Sequence, residues 1–294
     1  MKTSLDYLPE FIRLEIQQIT EIIKDAVKPE KIILFGSYAT DKYVVSDKYF
    51  EDHILYEYRS DYDFLVITSD WRGPEHVLKN KIQNLCRGIR TPINPIVHEM
   101  AFVNESLSFG QYFFSDIIKE GVLVYDANTS AFATLKELTP QERKQIAIDY
   151  HSQWFKSASV FLKAGKSVLQ GAITEQDISM LNNVAFQLHQ AAERFYAAIL
   201  LVVTGYKPKI HNLAELRMLA KHLSNPLYQL FHFPPDDKYE ERLFDLLIRG
   251  YIDARYKKDY VITFEETEAL IERIEKMKEI VGQACLEYID SIKA

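Results

Sequence analysis

The sequence is poor in cysteine, has no long apolar run and carries a deficit of positive charge, and each shortage removes a class of protein. Only two cysteines, Cys86 and Cys285, occur in 294 residues. Neither belongs to a paired metal-ligand spacing, so a disulfide framework and a zinc ribbon find no support. Both are expected as ordinary buried or half-buried thiols of a reducing cytoplasm. The longest apolar stretch, around Ala197–Val203, is far shorter than the roughly 20 residues a membrane helix requires, so no membrane association is expected. Met1-Lys2-Thr3-Ser4-Leu5-Asp6 lacks the apolar core of a secretion signal. Lys and Arg number 35 against 42 Asp and Glu, a net charge of -7, which argues against broad, non-specific nucleic-acid binding but leaves room for a local basic site.

What is present is the material of a folded globular protein. Hydrophobic residues make up 47% and charged residues 26% of a length sufficient for two domains. Eighteen Tyr and seventeen Phe supply large apolar surfaces for cores and interfaces.

Residues 5–27 place Leu8, Phe11, Ile12, Ile16, Ile19, Ile22 and Ile23 at three- and four-residue spacing, the pattern of an amphipathic helix. Lys31–Phe35 is a short apolar run stopped by Gly36 and reads as a buried strand. Residues 41–58 have no clear period and read as an insertion or loop. Strands are expected at 61–67, 93–98 and 121–125, with a helix at about 75–89. Pro95 pushes its strand towards a sheet edge or a bulge. Residues 126–138 read as a linker. Thr139-Pro140-Gln141-Glu142 then opens a helix with a Thr cap, a proline in the first turn and a reciprocal glutamate. Helices are expected at about 140–170, 175–204, 212–224, 239–256 and 264–292, the last opened by a second capping box, Thr263-x-x-Glu266. The organisation expected is an α/β domain with a small mixed sheet over 1–128 and an all-α bundle over 139–294.

Within the first domain Asp61 and Asp63 alternate to the same strand face, about 7 Å apart along the backbone. Two such carboxylates repel unless a cation lies between them, and hard oxygen ligands suit Mg²⁺ bridging to phosphate. Gly36-Ser37 complements the pair: glycine permits close backbone approach, and a hydroxyl can hydrogen-bond phosphate oxygens. The alternative reading of these residues is a plain turn and a solvated strand end.

Leu34-Phe35-Gly36-Ser37-Tyr38-Ala39 followed by Ser60-Asp61-Tyr62-Asp63-Phe64-Leu65-Val66 resembles the signature of the polymerase-beta-like nucleotidyltransferases, especially their minimal bacterial branch. The resemblance implies that Gly36 and Ser37 hold the triphosphate of a nucleoside triphosphate, ATP foremost. It implies that Asp61 and Asp63 bind Mg²⁺ and both hold nucleotide and act in catalysis, moving a nucleoside monophosphate to an acceptor. A protein hydroxyl, an RNA end and a small molecule such as an aminoglycoside all remain open as that acceptor. Two departures stand out. Residues 38–60 make the gap between the motifs longer than the family usually shows, and an insertion there would lie near the site mouth. Active members also use a third carboxylate from a neighbouring strand; Glu99, preceded by Asn94 and His98, is the catalytic candidate, its alternative being a solvent-facing strand end.

Further along, Gln187–Arg194, Thr204–Leu213 and Tyr251–Tyr256 resemble, in order, a HEPN domain. The resemblance implies a helical bundle that dimerises, is often joined to minimal nucleotidyltransferases, and here forms part of an acceptor pocket or a homodimer interface. Many HEPN domains are RNA-cleaving toxins that use an arginine followed a few residues later by a histidine. Here Tyr260 stands where that histidine would follow Arg255, and a tyrosine of pKa about 10 is a poor proton shuttle at neutral pH. Arg217 and His222 match the spacing in a different helix. His189 and Glu193, one turn apart, read as ligands or as a buried pair, and Asn212 as a helix cap. Lys207, Lys209, Arg255, Lys257 and Lys258 read as an anion site or as solvated charge; His53, His76, His151 and His232 carry no readable role. Two other functions stay open beside the transferase: an inert nucleotide-binding regulator of antitoxin type, and a HEPN ribonuclease toxin.

Overall fold

The computed structural model describes residues 1–45, 47–51, 54–58, 60–69, 71 and 73–293, the backbone alone at 47–51 and 54–58. His53 lies outside them. The chain divides into two compact units, Met1–Glu137 and Leu138–Ala294.

In the first unit the amphipathic helix α1 (Glu10–Val27) follows a segment that buries Leu8, and it places Ile12, Ile16, Ile19 and Ile23 against a sheet. Beyond the left-handed cap at Lys28, β1 (Lys31–Phe35) leads directly into a one-turn helix, α2 (Gly36–Ala39). The region expected as a loop contains a separate antiparallel hairpin, β2 (Asp47–Glu51) with β3 (Ile54–Tyr58). Strand β4 (Tyr62–Thr68) is buried along its whole length. Helix α3 (Glu75–Leu85) then leads to β5 (Ile93–Glu99). Two short helices, α4 (Met100–Ser108) and α5 (Tyr112–Glu120), precede β6 (Val122–Asp126); they were not anticipated from the sequence. The main sheet runs β5-β4-β1-β6, with β1 antiparallel to both neighbours and β5 parallel to β4. Pro95 is tolerated because β5 is an edge strand.

The segment after β6 is not a free linker. Its backbone is tied to the first unit where Asn104 Oδ1 accepts from the amide of Ala133 at 2.8 Å and Leu107 O accepts from the amide of Lys136 at 3.1 Å.

The second unit is helical: α6 (Pro140–Tyr150), a π-helical turn at His151–Phe155, α7 (Lys156–Glu175), a 3-10 turn at Ile178–Met180, α8 (Leu181–Thr204), α9 (Leu213–Ala220), α10 (Asn225–Gln229), α11 (Lys238–Arg249), α12 (Asp253–Tyr256) and α13 (Phe264–Ser291). Both capping boxes are present, Thr139 with Glu142 and Thr263 with Glu266. Asn212 caps α9 by accepting from the amides of Ala214 and Glu215. The apolar run around Ala197–Val203 lies in α8, whose buried residues extend from Leu181 to Val202. It is the central helix of the bundle, buried nearly all round because neighbours cover it on most sides. Among the described residues no helix is long and apolar enough to cross a membrane. Cys86 and Cys285 are both free and buried.

The helix expected over 239–256 is interrupted after Arg249. Gly250 sits against α8, where a Cβ would come within 2.8 Å of the carbonyl oxygen of Ala185. Backbone atoms cannot yield as a flexible side chain can, so Gly250→Ala is expected to destabilise the helical unit by about 1–3 kcal/mol. Chemical denaturation followed by circular dichroism would measure this, and an unchanged midpoint would refute the close packing.

Candidate nucleotide and metal site

The ends of three adjacent strands bring the candidate residues together. Register places Phe35 of β1 opposite Asp63 of β4, and Asp63 opposite Asn94 of β5, so all three share a sheet face. Asp61 lies immediately before β4, two residues from Asp63 and near enough for its charge to act on it. Both carboxylates are buried, at 9% and 8% exposure.

Gly36 is required here twice over. Its φ of +73° lies in the left-handed region, and an added Cβ would fall 2.3 Å from Asp63 Oδ2. Only a residue without a side chain can turn the chain there while the backbone touches the carboxylate. The next residue, Ser37, has its hydroxyl buried with no hydrogen-bond partner in the protein. A buried hydroxyl without a partner costs free energy.

Asn94 Nδ2 donates to Asp63 Oδ1 at 2.9 Å. This single neutral donor does not offset the loss of water. Burial raises the Asp63 carboxyl to about 7, the Asn94 bond works against the shift, and the nearby Asp61 charge adds to it.

The longer gap between the motifs is absorbed locally. Lys42 N donates to Ser37 O at 2.9 Å, and residues 44 and 60 are joined twice: Ser60 N donates to Val44 O and Val44 N donates to Ser60 Oγ, each at 2.9 Å. These bonds close the base of the insertion and return the chain to Asp61. Beneath it Tyr38 stacks on Tyr43 at 4.5 Å and contacts Tyr62 at 4.4 Å. Tyr62 points to the opposite face from the aspartates and donates to Glu15 Oε2 at 2.9 Å.

The structure does not bring Glu99 to this constellation. It pairs with Thr68 at the other end of β4, five residues beyond Asn94. That is about 16 Å along the strand, and the odd offset directs it to the opposite face. Glu99 is exposed. The position on β5 that faces the aspartate pair is held by the neutral Asn94, and the register of β5 against β4 is the signal that would have located it. His98 is also away from the pair; its Nδ1 is 2.8 Å from Glu75 Oε1 and its ring packs on Phe102 and Phe114.

In the helical unit Glu193 is the centre of a polar cluster. His211 Nδ1 donates to Glu193 Oε1 at 3.0 Å. His189 Nδ1 faces the carbonyl of Leu247 at 3.0 Å and must carry the proton there, since a carbonyl only accepts. That leaves His189 Nε2 buried, 3.9 Å from Glu193 Oε2; burial lowers the pKa of this imidazole. The ring of Tyr251 stacks on both histidines. Arg255 lies over Tyr251, with its Nε donating to Tyr251 O at 2.6 Å.

Tyr260, where a nuclease histidine would stand, is buried, donates to Leu246 O at 2.9 Å and has its pKa raised by burial. Arg217 donates to Tyr228 O and lies over the Tyr228 ring, a buried structural role. Lys207 donates to Ile210 O, and Lys257 pairs with Asp253 at 3.1 Å, so these two cations are already engaged.

Comparison with protein-family models matches residues 17–130 to the polymerase beta nucleotidyltransferase family and residues 151–284 to the HEPN domain. No curated protein matches the chain. The chain therefore carries a polymerase-beta-type nucleotidyltransferase domain followed by a HEPN domain.

The Asp63 environment generates a pH test in metal-free protein. Its folded-state pKa is raised, so the folded protein binds the proton more tightly than the unfolded chain between the unfolded value of 3.8 and about 7. The stability of wild type from this group is present below that window and is lost as pH rises through it. Asp63→Asn removes the buried charge, so it should stabilise the protein at pH 8 relative to wild type, by at most about 4 kcal/mol. The advantage should shrink towards pH 4. Urea denaturation at both pH values would read it, and an equal difference at the two would contradict the desolvated carboxyl.

Proposed function

We propose that residues 1–128 form a Mg²⁺-dependent nucleotidyltransferase domain that moves a nucleoside monophosphate from a nucleoside triphosphate, ATP foremost, to an acceptor hydroxyl. The helical domain at 139–294 serves acceptor recognition or homodimer formation. The observation that carries the reading is the Gly36–Asp63 contact beside the unpartnered Ser37 hydroxyl. Only a residue without a Cβ fits against the acid there, and the Ser37 hydroxyl beside it is the donor that would meet a phosphate oxygen.

The donor set fits the metal. Asp61 and Asp63 supply hard oxygens on one strand face, and Mg²⁺ characteristically combines one or two carboxylates with substrate phosphate oxygens and water. Among the described residues no group of three or more His, Cys, Asp or Glu side chains is arranged to hold a metal. When bound, Mg²⁺ supplies charge neutralisation for the phosphoryl group and the departing pyrophosphate. The chain's own residues do the rest. Ser37 offers its hydroxyl to a phosphate oxygen, Gly36 allows the backbone to close on it, and Asn94 orients the Asp63 carboxylate.

Loss of the Asp61 and Asp63 carboxylates, as in the Asp61→Ala/Asp63→Ala double variant, is expected to abolish label transfer from α-labelled nucleoside triphosphates in the presence of Mg²⁺ and cell lysate. Wild type should transfer label, and the size and nuclease sensitivity of the product would class the acceptor. Equal transfer by both proteins would refute the assignment.

Asn94 favours a second reading, that of a nucleotide-binding regulator without transferase activity. At the β5 position facing the aspartates it provides an amide where a third carboxylate would complete a catalytic set. Under this reading wild type binds Mg²⁺–ATP but transfers nothing, and Asn94→Asp introduces transfer. If Asn94→Asp instead lowers an existing wild-type activity, the regulator reading fails and Asn94 belongs to the working site.

A further inference from the structure

The short helix α2 has too few residues to satisfy its own carbonyls, yet all four are held. Gly36 O accepts from Thr40 N at 3.2 Å and from Thr40 Oγ1 at 3.0 Å. Ser37 O accepts from Lys42 N at 2.9 Å. The remaining two are reached from a segment more than 30 residues earlier. Tyr7 Oη donates to Tyr38 O at 2.9 Å and stands 3.3 Å from Ala39 O, and Lys2 Nζ donates to Ala39 O at 3.1 Å. That segment is itself anchored. Lys2 forms a parallel bridge to Val122, with Leu123 N donating to Lys2 O at 2.8 Å, and Leu8 is buried in the core.

We propose that Lys2 and Tyr7 are positioning residues for the phosphate-binding turn, a role that rests on the nucleotide reading above. They touch neither the aspartates nor the Ser37 hydroxyl. Their donors grip the rear carbonyls of the turn whose front carries Gly36 against Asp63 and the buried Ser37 Oγ. Gly36, at φ +73°, is the conformationally permissive joint between β1 and this turn, so a grip on the far end fixes the direction in which Ser37 points. The two donors also explain the packing of a polar segment across the end of α2. Without them two carbonyls at the rear of the turn would depend on water for their partners.

The consequence is specific to ligands with a phosphate tail. In a purified full-length chain, Tyr7→Phe with Lys2→Met should weaken Mg²⁺–ATP binding by about threefold to tenfold, the effect expected for losing one or two partly exposed hydrogen bonds. Binding of AMP should change little, so the ratio of ATP to AMP affinity falls. Titration calorimetry with each ligand, alongside melting temperatures, measures this. Lys2→Met alone alters an exposed side chain and provides a variant whose folding is not at risk. Hydrogen exchange gives a second readout: the amide of Thr40 should exchange faster in Tyr7→Phe while amides of β4 do not.

Unchanged ATP affinity and unchanged Thr40 exchange in a folded double variant would overturn the proposal. So would an equal loss for ATP and AMP, which would mean general loosening of the unit. Absence of ATP binding by wild type itself would overturn the nucleotide reading, and this inference with it; wild-type binding with indifferent variants would overturn this inference alone.

Discussion

The first unit depends on one steric constraint, the contact between the backbone at Gly36 and the Asp63 carboxylate. Antiparallel pairing of β1 with β4 brings Phe35 level with Asp63, and the chain must then leave the sheet without a side chain in the way. The left-handed turn at Gly36, the burial of the Ser37 hydroxyl and the desolvation of Asp63 all follow from that geometry. A residue with a Cβ would force apart the strand end and the acid that define the site.

The two units handle buried acids differently. Asp63 meets a single neutral amide, and burial raises its carboxyl to about 7. Glu193 is met by His211 directly, with His189 and Tyr251 stacked around it. Its cluster lies on the central helix of the bundle, where each polar group must find a partner inside the protein or accept a desolvation cost. The nuclease arrangement that the HEPN resemblance raises has no counterpart at Tyr260, whose hydroxyl is spent on the Leu246 carbonyl.

Position 94 separates the two functional readings. A neutral amide orients the Asp63 carboxyl but brings no negative charge to share a cation. A carboxylate in its place would add repulsion beside Asp63, whose ionisation burial already disfavours.

Much of this was legible from one sequence because the evidence was local. A strand followed by Gly36-Ser37, alternation of Asp61 and Asp63, two capping boxes and a three-to-four-residue apolar period depend on neighbours a few positions away, and backbone geometry translates them directly. The parts that were not legible depended on register and long-range pairing. Glu99 resembled a third carboxylate by proximity in sequence, but the pairing of β5 with β4 places Asn94 there and sends Glu99 to the opposite end and face. The strands β2 and β3 lacked a clear period, and helices α4 and α5, at nine residues each, are shorter than the stretch over which a helical period is read. The grip of Lys2 and Tyr7 on a turn 30 residues away left no trace in spacing at all. Sequence by itself determined the two domain types and the identity of the paired aspartates; the tertiary structure alone decided which side chain faces them, because a one-residue change of strand register exchanges every side chain between the two faces of a sheet.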